Sequence, residues 1–387
     1  YFLIVIDLVQ WSKNNNILVG PARGSAAGSL VCYLTRITEV DPLLYGLIFE
    51  RFIDLNRMDL PDIDIDFEDS QRHFVKEYLA KKYGENKVGD IATFSVFRGK
   101  SSVDSIARVF KIPHDETAKL KSMIIERSGG DSRASFTMTD TFESDLFDYP
   151  KKMMKKYPEM KYVVALEGQI KNLSKHASGV ILSNEDVTEY CAIYQYQGNK
   201  VLSIDYADAG AIGLIKVDIL GLNTLTGLHA IKNLIKKNYN RDIDYYNLPL
   251  NDKEVFKGFC NNKLSGIFQF DGQAVNQVCR QIKPQTFEEL GDINALARPG
   301  PLNSGSTTLY ITRKDGKAET EYPHALMKEM TKDTYGIVVY QEQVMKTMRE
   351  VGLMSWKDTS DIRKNISRSL GIEAFNRFKS TSNYSKK

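Results

Sequence analysis

Only four cysteines occur in 387 residues, and Cys32, Cys191, Cys260 and Cys279 are too far apart for a CxxC metal or redox motif. They read as reduced, mostly core residues of a cytoplasmic protein. The five histidines form no HxxxH or HxH pair, which argues against a histidine zinc site. No run approaches the ~18 consecutive apolar residues of a membrane span, so no membrane is expected among the partners. The opening Tyr1-Phe2-Leu3-Ile4-Val5-Ile6 meets Asp7 at once and has no basic leader or small-residue cleavage site. It reads as the middle of a core element rather than a signal peptide. An excess of one charge is also missing. Fifty-two basic and 49 acidic residues leave +3, so global charge neither demands nor excludes a nucleic-acid partner.

Apolar content of 42% and charged content of 26% describe an ordinary globular chain, long enough for two or three domains or for one large multi-lobed unit. Residues 2–12 are apolar enough for a buried helix, and Ile17-Leu18-Val19 reads as a short buried strand. A turn, Gly20-Pro21-Ala22-Arg23-Gly24-Ser25, precedes a short helix that Ser25 is placed to cap. An amphipathic helix over roughly 69–84 is ended by Gly84, and residues 88–97 alternate like a strand. From about 100 to 172 the pattern is helical and lysine-rich. Strands return at 179–182, 201–204 and 213–219, and from Gly221 the chain is chiefly helical. Pro299-Gly300-Pro301 interrupts that segment and Asp315-Gly316 marks a turn. The tail after Lys379 is polar and expected to fray. The order sheet, helical insertion, sheet, long helical segment predicts an α+β fold.

The most informative run is Pro61-Asp62-Ile63-Asp64-Ile65-Asp66-Phe67. A strand alternates faces, so Asp62, Asp64 and Asp66 share one and Ile63, Ile65 and Phe67 can bury the other. Clustered carboxylates repel one another unless a counter-charge is present, and hard divalent cations such as Mg²⁺ supply it with oxygen ligands. A second strand carries Lys216 and Asp218 on one face. If it lies beside the first, three carboxylates and a lysine converge, as two-metal phosphoryl transfer requires. The Gly20–Ser29 turn offers backbone N–H groups to an anion, although it has neither P-loop nor GxGxxG spacing. A basic set comprises Arg298 before Pro299, then Arg363, Lys364 and Arg368. Positions 364 and 368 fall on one helical face, suited to a triphosphate or nucleic-acid backbone.

Together these motifs resemble the palm of bacterial C-family replicative DNA polymerases, the family of the DNA polymerase III alpha subunit. The resemblance rests on Gly-Pro-Ala-Arg-Gly-Ser-Ala-Ala-Gly-Ser (20–29), Phe49-Glu50-Arg51-Phe52 and the Pro-Asp-Ile-Asp-Ile-Asp-Phe run. It continues through Lys175-His176-Ala177-Ser178-Gly179-Val180, Lys216-Val217-Asp218-Ile219-Leu220-Gly221-Leu222, Ile267-Phe268-Gln269, Ala297-Arg298-Pro299-Gly300-Pro301 and Tyr335–Met345. These occur in the family's order from about 20 to 370.

The resemblance implies a polymerase-beta-like nucleotidyltransferase palm with a mixed sheet, a helical thumb insertion and helical fingers. Residues 1–94 and 173–221 would be palm, 95–172 thumb and 222–387 an incomplete fingers region. It also implies that Asp62, Asp64 and Asp218 bind two Mg²⁺ ions, for which Mn²⁺ can substitute, with Asp66 ranked below them. Gly24 and Ser25 would contact the incoming triphosphate; Arg51, Arg57 and Lys216 match basic palm positions. Arg363 and Lys364 match paired basic residues of the fingers. The implied activity is DNA-templated DNA synthesis in the cytoplasm on primer-template DNA and dNTPs. A sliding clamp and other replisome subunits would be reached through regions this sequence does not contain. A chain that starts inside the palm and stops within the fingers is what an excised piece would look like, or a split or reduced gene such as a bacteriophage carries. Departures are Arg363-Lys364-Asn365-Ile366-Ser367-Arg368-Ser369, where relatives have Arg-Arg-Ala-Met-Gly-Lys-Lys, and Ala22, where glycine is usual. Two rival readings are a non-templated nucleotidyltransferase and an inactive module that binds DNA or replisome partners.

Overall fold

The computed structural model describes residues 1–53, 61, 63–124, 137–143, 145 and 147–367. The chain divides into two compact units. One is built chiefly from Tyr1–Leu8 and Asp64–Gly221, the other chiefly from Val9–Ile63 and Leu222–Asn365.

The first unit holds a six-stranded sheet. Its strands are β1 (Asp64–Glu68), β2 (Val88–Val96), β3 (Ile170–Leu182), β4 (Ile193–Tyr196), β5 (Asn199–Leu202) and β6 (Ile215–Leu222). They lie in the order β1-β6-β3-β2-β5-β4. β3 runs antiparallel to β2 and β6, β4 antiparallel to β5, and β2 parallel to β5, so the sheet is mixed. Ile91, Ile181, Leu202, Ala209 and Leu214 pack a core against it. The helix Arg72–Tyr83 buries Val75 and Leu79 and stops at Gly84, whose φ of +111° suits a residue without Cβ. Among the described residues, helices from Gly99–Phe110 to Lys161–Leu166 lie between β2 and β3 and enclose a separate core around Val103, Leu120, Met138, Met153 and Met160. The arrangement is α+β, as the pattern of runs predicts.

The second unit is mainly helical. Its core includes Leu264, Val278, Cys279, Ile293, Leu296 and Tyr310. All four cysteines are free thiols, and Cys32 and Cys279 are buried. Among the described residues no helix is long and apolar enough to cross a membrane.

Three local expectations are corrected. Ile17–Val19 is not a full strand: Val19 alone makes an isolated β-bridge, and its N–H and C=O also meet the Tyr246 hydroxyl at 3.4 and 2.7 Å. Ser25 precedes only the 3₁₀ turn Ala26–Gly28 and makes no side-chain cap. Ser29 caps instead, its hydroxyl accepting from the Cys32 N–H at 3.2 Å ahead of the helix Leu30–Leu34. The helical insertion ends at Leu166 and β3 begins at Ile170, within the stretch read as helical. The expected interruption at Pro299-Gly300-Pro301 is present: one helix ends at Leu296, and Pro299, whose fixed φ fits a first helical turn, starts Pro299–Asn303.

Candidate active site

β1 alternates as its composition demands. Ile63, Ile65 and Phe67 are buried, while Asp64 and Asp66 are half-buried on the opposite face. Glu68 at its end is buried and accepts from Ser70 Oγ at 2.7 Å and Gln71 Nε2 at 3.0 Å. β6 is β1's neighbour in the sheet, so the strand bearing Lys216 and Asp218 lies beside the strand bearing Asp64 and Asp66.

Asp218 is only 7% exposed, and the reason lies in β3. Only Ile91 separates Asp90 from Ala92 on β2, whereas residues 176–179 separate their partners Val180 and Lys175 on β3. The result is a wide bulge built from the Lys175-His176-Ala177-Ser178-Gly179 motif. Lys175 anchors its start, 3.3 Å from Asp90, whose other oxygen takes Lys76 at 2.7 Å. Burial pushes the Lys76 ammonium below the ordinary lysine pKa, and the Asp90 carboxylate partly offsets this. Inside the bulge the Gly179 and Ser178 N–H groups donate to His176 Nδ1 at 2.8 and 3.3 Å, placing that ring's proton on Nε2. Gly179 pairs with Asp218 in the register, and Ser178 Oγ comes within 3.5 Å of Asp218 Oδ1.

The other carboxylate oxygen, Oδ2, accepts from the Tyr206 hydroxyl at 2.8 Å. Tyr206 opens the helix Tyr206–Ala211, which Asp205 caps by accepting from the Ala207 and Asp208 N–H groups at 2.8 Å each. Lys216 Nζ lies 3.5 Å from the centroid of the Tyr206 ring and donates to the Tyr206 carbonyl at 3.3 Å. Oxygen donors of this kind fit a hard divalent cation. Among the described residues no three His, Cys, Asp or Glu side chains cluster to hold a metal, and Asp62 lies outside those residues.

Gly24, Ser25, Arg51, Arg298, Arg363 and Lys364 belong to the second unit. Gly24 adopts φ +59° in its turn. Ala22 is not among the residues with left-handed φ, so alanine there is unstrained. Arg51 donates to the Gly24 carbonyl at 3.3 Å and to Gln341 Oε1 at 3.2 Å, and pairs with Glu342 at 3.1 Å. Arg298 stands at the N-cap of Pro299–Asn303, and Arg363 and Lys364 are half-buried on the helix Trp356–Ser367. Arg57 and Arg368, like Asp62, lie outside the described residues.

Sequence reasoning missed Tyr206 and gave Ser178 and His176 no role. The Asp205 cap is legible as a helix start, but nothing in the spacing reveals that the next ring reaches Asp218.

The model of the family described as "Bacterial DNA polymerase III alpha NTPase domain" matches residues 1–221. The chain belongs to the bacterial DNA polymerase III alpha family. The model described as "Bacterial DNA polymerase III alpha subunit finger domain" matches residues 224–381. DNA polymerase III subunit alpha of Aquifex aeolicus (strain VF5) is 36% identical over 389 residues, covering 95% of this chain and 33% of that protein. The subunit of Buchnera aphidicola subsp. Acyrthosiphon pisum (strain APS) is 38% identical over 361 residues, 89% of this chain and 30% of that protein. That of Staphylococcus aureus (strain COL) is 33% identical over 371 residues, 95% of this chain and 34% of that protein. The chain spans about a third of the length of these DNA polymerase III alpha relatives.

Proposed function

We propose that this chain is catalytic machinery for DNA-templated DNA synthesis, joining dNTPs to a primer 3′-hydroxyl. The observation that carries the reading is the adjacency of β1 and β6, which sets Asp64 and Asp218 on neighbouring strands with Lys216. Membership of the DNA polymerase III alpha family supports it.

In this reading the six-stranded sheet is the centre of a nucleotidyltransferase palm that takes in residues 1–94 and 173–221, of which 9–63 fall in the second unit. Residues 95–172 are a thumb and residues 222–387 are fingers. Asp64 and Asp218, with Asp62, would hold divalent cations, Mg²⁺ in the cell and Mn²⁺ as a substitute. Two such ions would lower the pKa of the primer hydroxyl and neutralise the triphosphate and departing pyrophosphate. The chain's own part is positional. Asp218 is oriented by Tyr206 and the bulge, and Lys216 faces the same side of β6. Gly24 and Ser25 offer backbone N–H groups to the triphosphate, a role for which a glycine at φ +59° leaves room. Arg298, Arg363 and Lys364, with Arg57 and Arg368, supply phosphate-directed charge. The oxygen of the primer hydroxyl attacks the α-phosphorus, and the bond to pyrophosphate breaks. The partners are primer-template DNA and, beyond this chain's own residues, a sliding clamp and other replisome subunits.

Single-nucleotide incorporation at low salt tests the reading. The account predicts that only the complementary dNTP is added opposite each template base. Addition of every dNTP to a single strand without a template would replace it with a terminal transferase.

A further inference from the structure

Lys216 and Asp218 are two residues apart on one face of β6, and a single side chain touches both. The Tyr206 hydroxyl donates to Asp218 Oδ2 at 2.8 Å, and the Tyr206 ring lies 3.5 Å from Lys216 Nζ. We propose that Tyr206 is a positioning residue: its hydroxyl fixes the rotation of the Asp218 carboxylate, and its ring seats the Lys216 ammonium.

Tyr206 can do this because it is itself held. The Asp205 cap fixes the start of its helix. The His176 ring stacks on it at 5.9 Å between centroids and 28° between planes, and two backbone N–H groups of the β3 bulge pin that imidazole. Gly210, one turn further along the helix, leaves space for the lysine. A Cβ there would stand 3.3 Å from Lys216 Nζ. Ring, imidazole, bulge and glycine thus form one fitted assembly around the Lys-x-Asp strand. A carboxylate tied through Oδ2 presents its remaining lone pairs in one fixed direction, and groups that orient ligands in this way control metal affinity. A cation over an aromatic face is attracted by the ring quadrupole, which needs the ring and not the hydroxyl. The two contacts are therefore separable by mutation.

This inference rests on Asp218 being a metal ligand, and the experiment tells the two apart. Binding of Mn²⁺ to the full chain is followed by the electron paramagnetic resonance of the free ion, for the parent, Asp218→Asn, Tyr206→Phe and Tyr206→Leu. Asp218→Asn is expected to weaken Mn²⁺ binding strongly, and Tyr206→Phe to weaken it about tenfold with its melting temperature kept near the parent's. In primer extension, Tyr206→Phe should shift the Mn²⁺ requirement at an unchanged KM for dNTP, whereas Tyr206→Leu should also raise that KM. If Asp218→Asn weakens binding and Tyr206→Phe does not, the positioning role is overturned and the metal site stands. If Mn²⁺ binding is absent or indifferent to Asp218, both fall.

Discussion

The Arg51 guanidinium stands 3.1 Å from the Glu342 carboxylate, joining the Phe49–Arg51 turn to the helix Gln341–Glu350. The same side chain reaches Gln341 Oε1 and the Gly24 carbonyl, so it braces the glycine turn it was expected to assist at the phosphates. Arg51→Met removes all three contacts. It is expected to destabilise the second unit by about 1–2 kcal/mol, which urea unfolding would register as a lower midpoint at constant slope. An unchanged midpoint would mean that the brace contributes nothing.

Asp292 gives a stability with a predictable pH dependence. It is buried, and the Tyr310 and Tyr340 hydroxyls each donate to it at 2.6 Å. Burial pushes its pKa above the ordinary aspartate range, and the two hydroxyls pull it back only in part. The folded state therefore holds this proton more tightly than the unfolded chain does. Its contribution is fully present below the unfolded value near ~3.9 and is lost as pH rises through the folded value. Subtracting the unfolding free energy of Asp292→Asn from the parent's should leave a difference that falls with pH across that window. A rising difference would contradict the assignment. Tyr340→Phe, which removes one donor from the buried carboxylate, should cost about 1.5–3 kcal/mol at neutral pH.

Gly179 is where the bulge admits no side chain. A Cβ would meet Ile91 Cδ1 at 2.8 Å and His176 Nδ1 at 3.0 Å, with Asp218 Oδ1 at 3.6 Å. Gly179→Ala should cost about 1–3 kcal/mol of stability through overpacking, measured by chemical unfolding. Displacing His176 should also slow nucleotide incorporation at saturating dNTP. Parent-like stability and rate would show that the bulge yields freely.

Much of this was legible, and the exceptions share a physical cause. β1 showed itself because Ile63, Ile65 and Phe67 alternate with aspartates over a buried face. β6 did so because its apolar run ends in the Lys-x-Asp-containing motif. The first half of β3 did not. Ile170–Leu173 is exposed, so no burial pattern marks it, and pairing with β2 makes it a strand. β4 and β5 form a hairpin in which only Val201 and Leu202 are buried, so β4 carried too little signal to be read. The carboxylates of the site could be named from spacing alone. The contacts that orient them could not, because a bulge and a tyrosine from another element arrive only through tertiary packing.

We propose that Asp64 and Asp218, on neighbouring strands, form one reaction centre. The decisive measurement is primer extension at low salt with Mg²⁺ and all four dNTPs, comparing the parent with Asp64→Asn and Asp218→Asn. The parent should extend the primer as the template dictates, and each variant should lose at least about 100-fold in rate, roughly 2.7 kcal/mol of barrier. Extension that survives in both variants would contradict it.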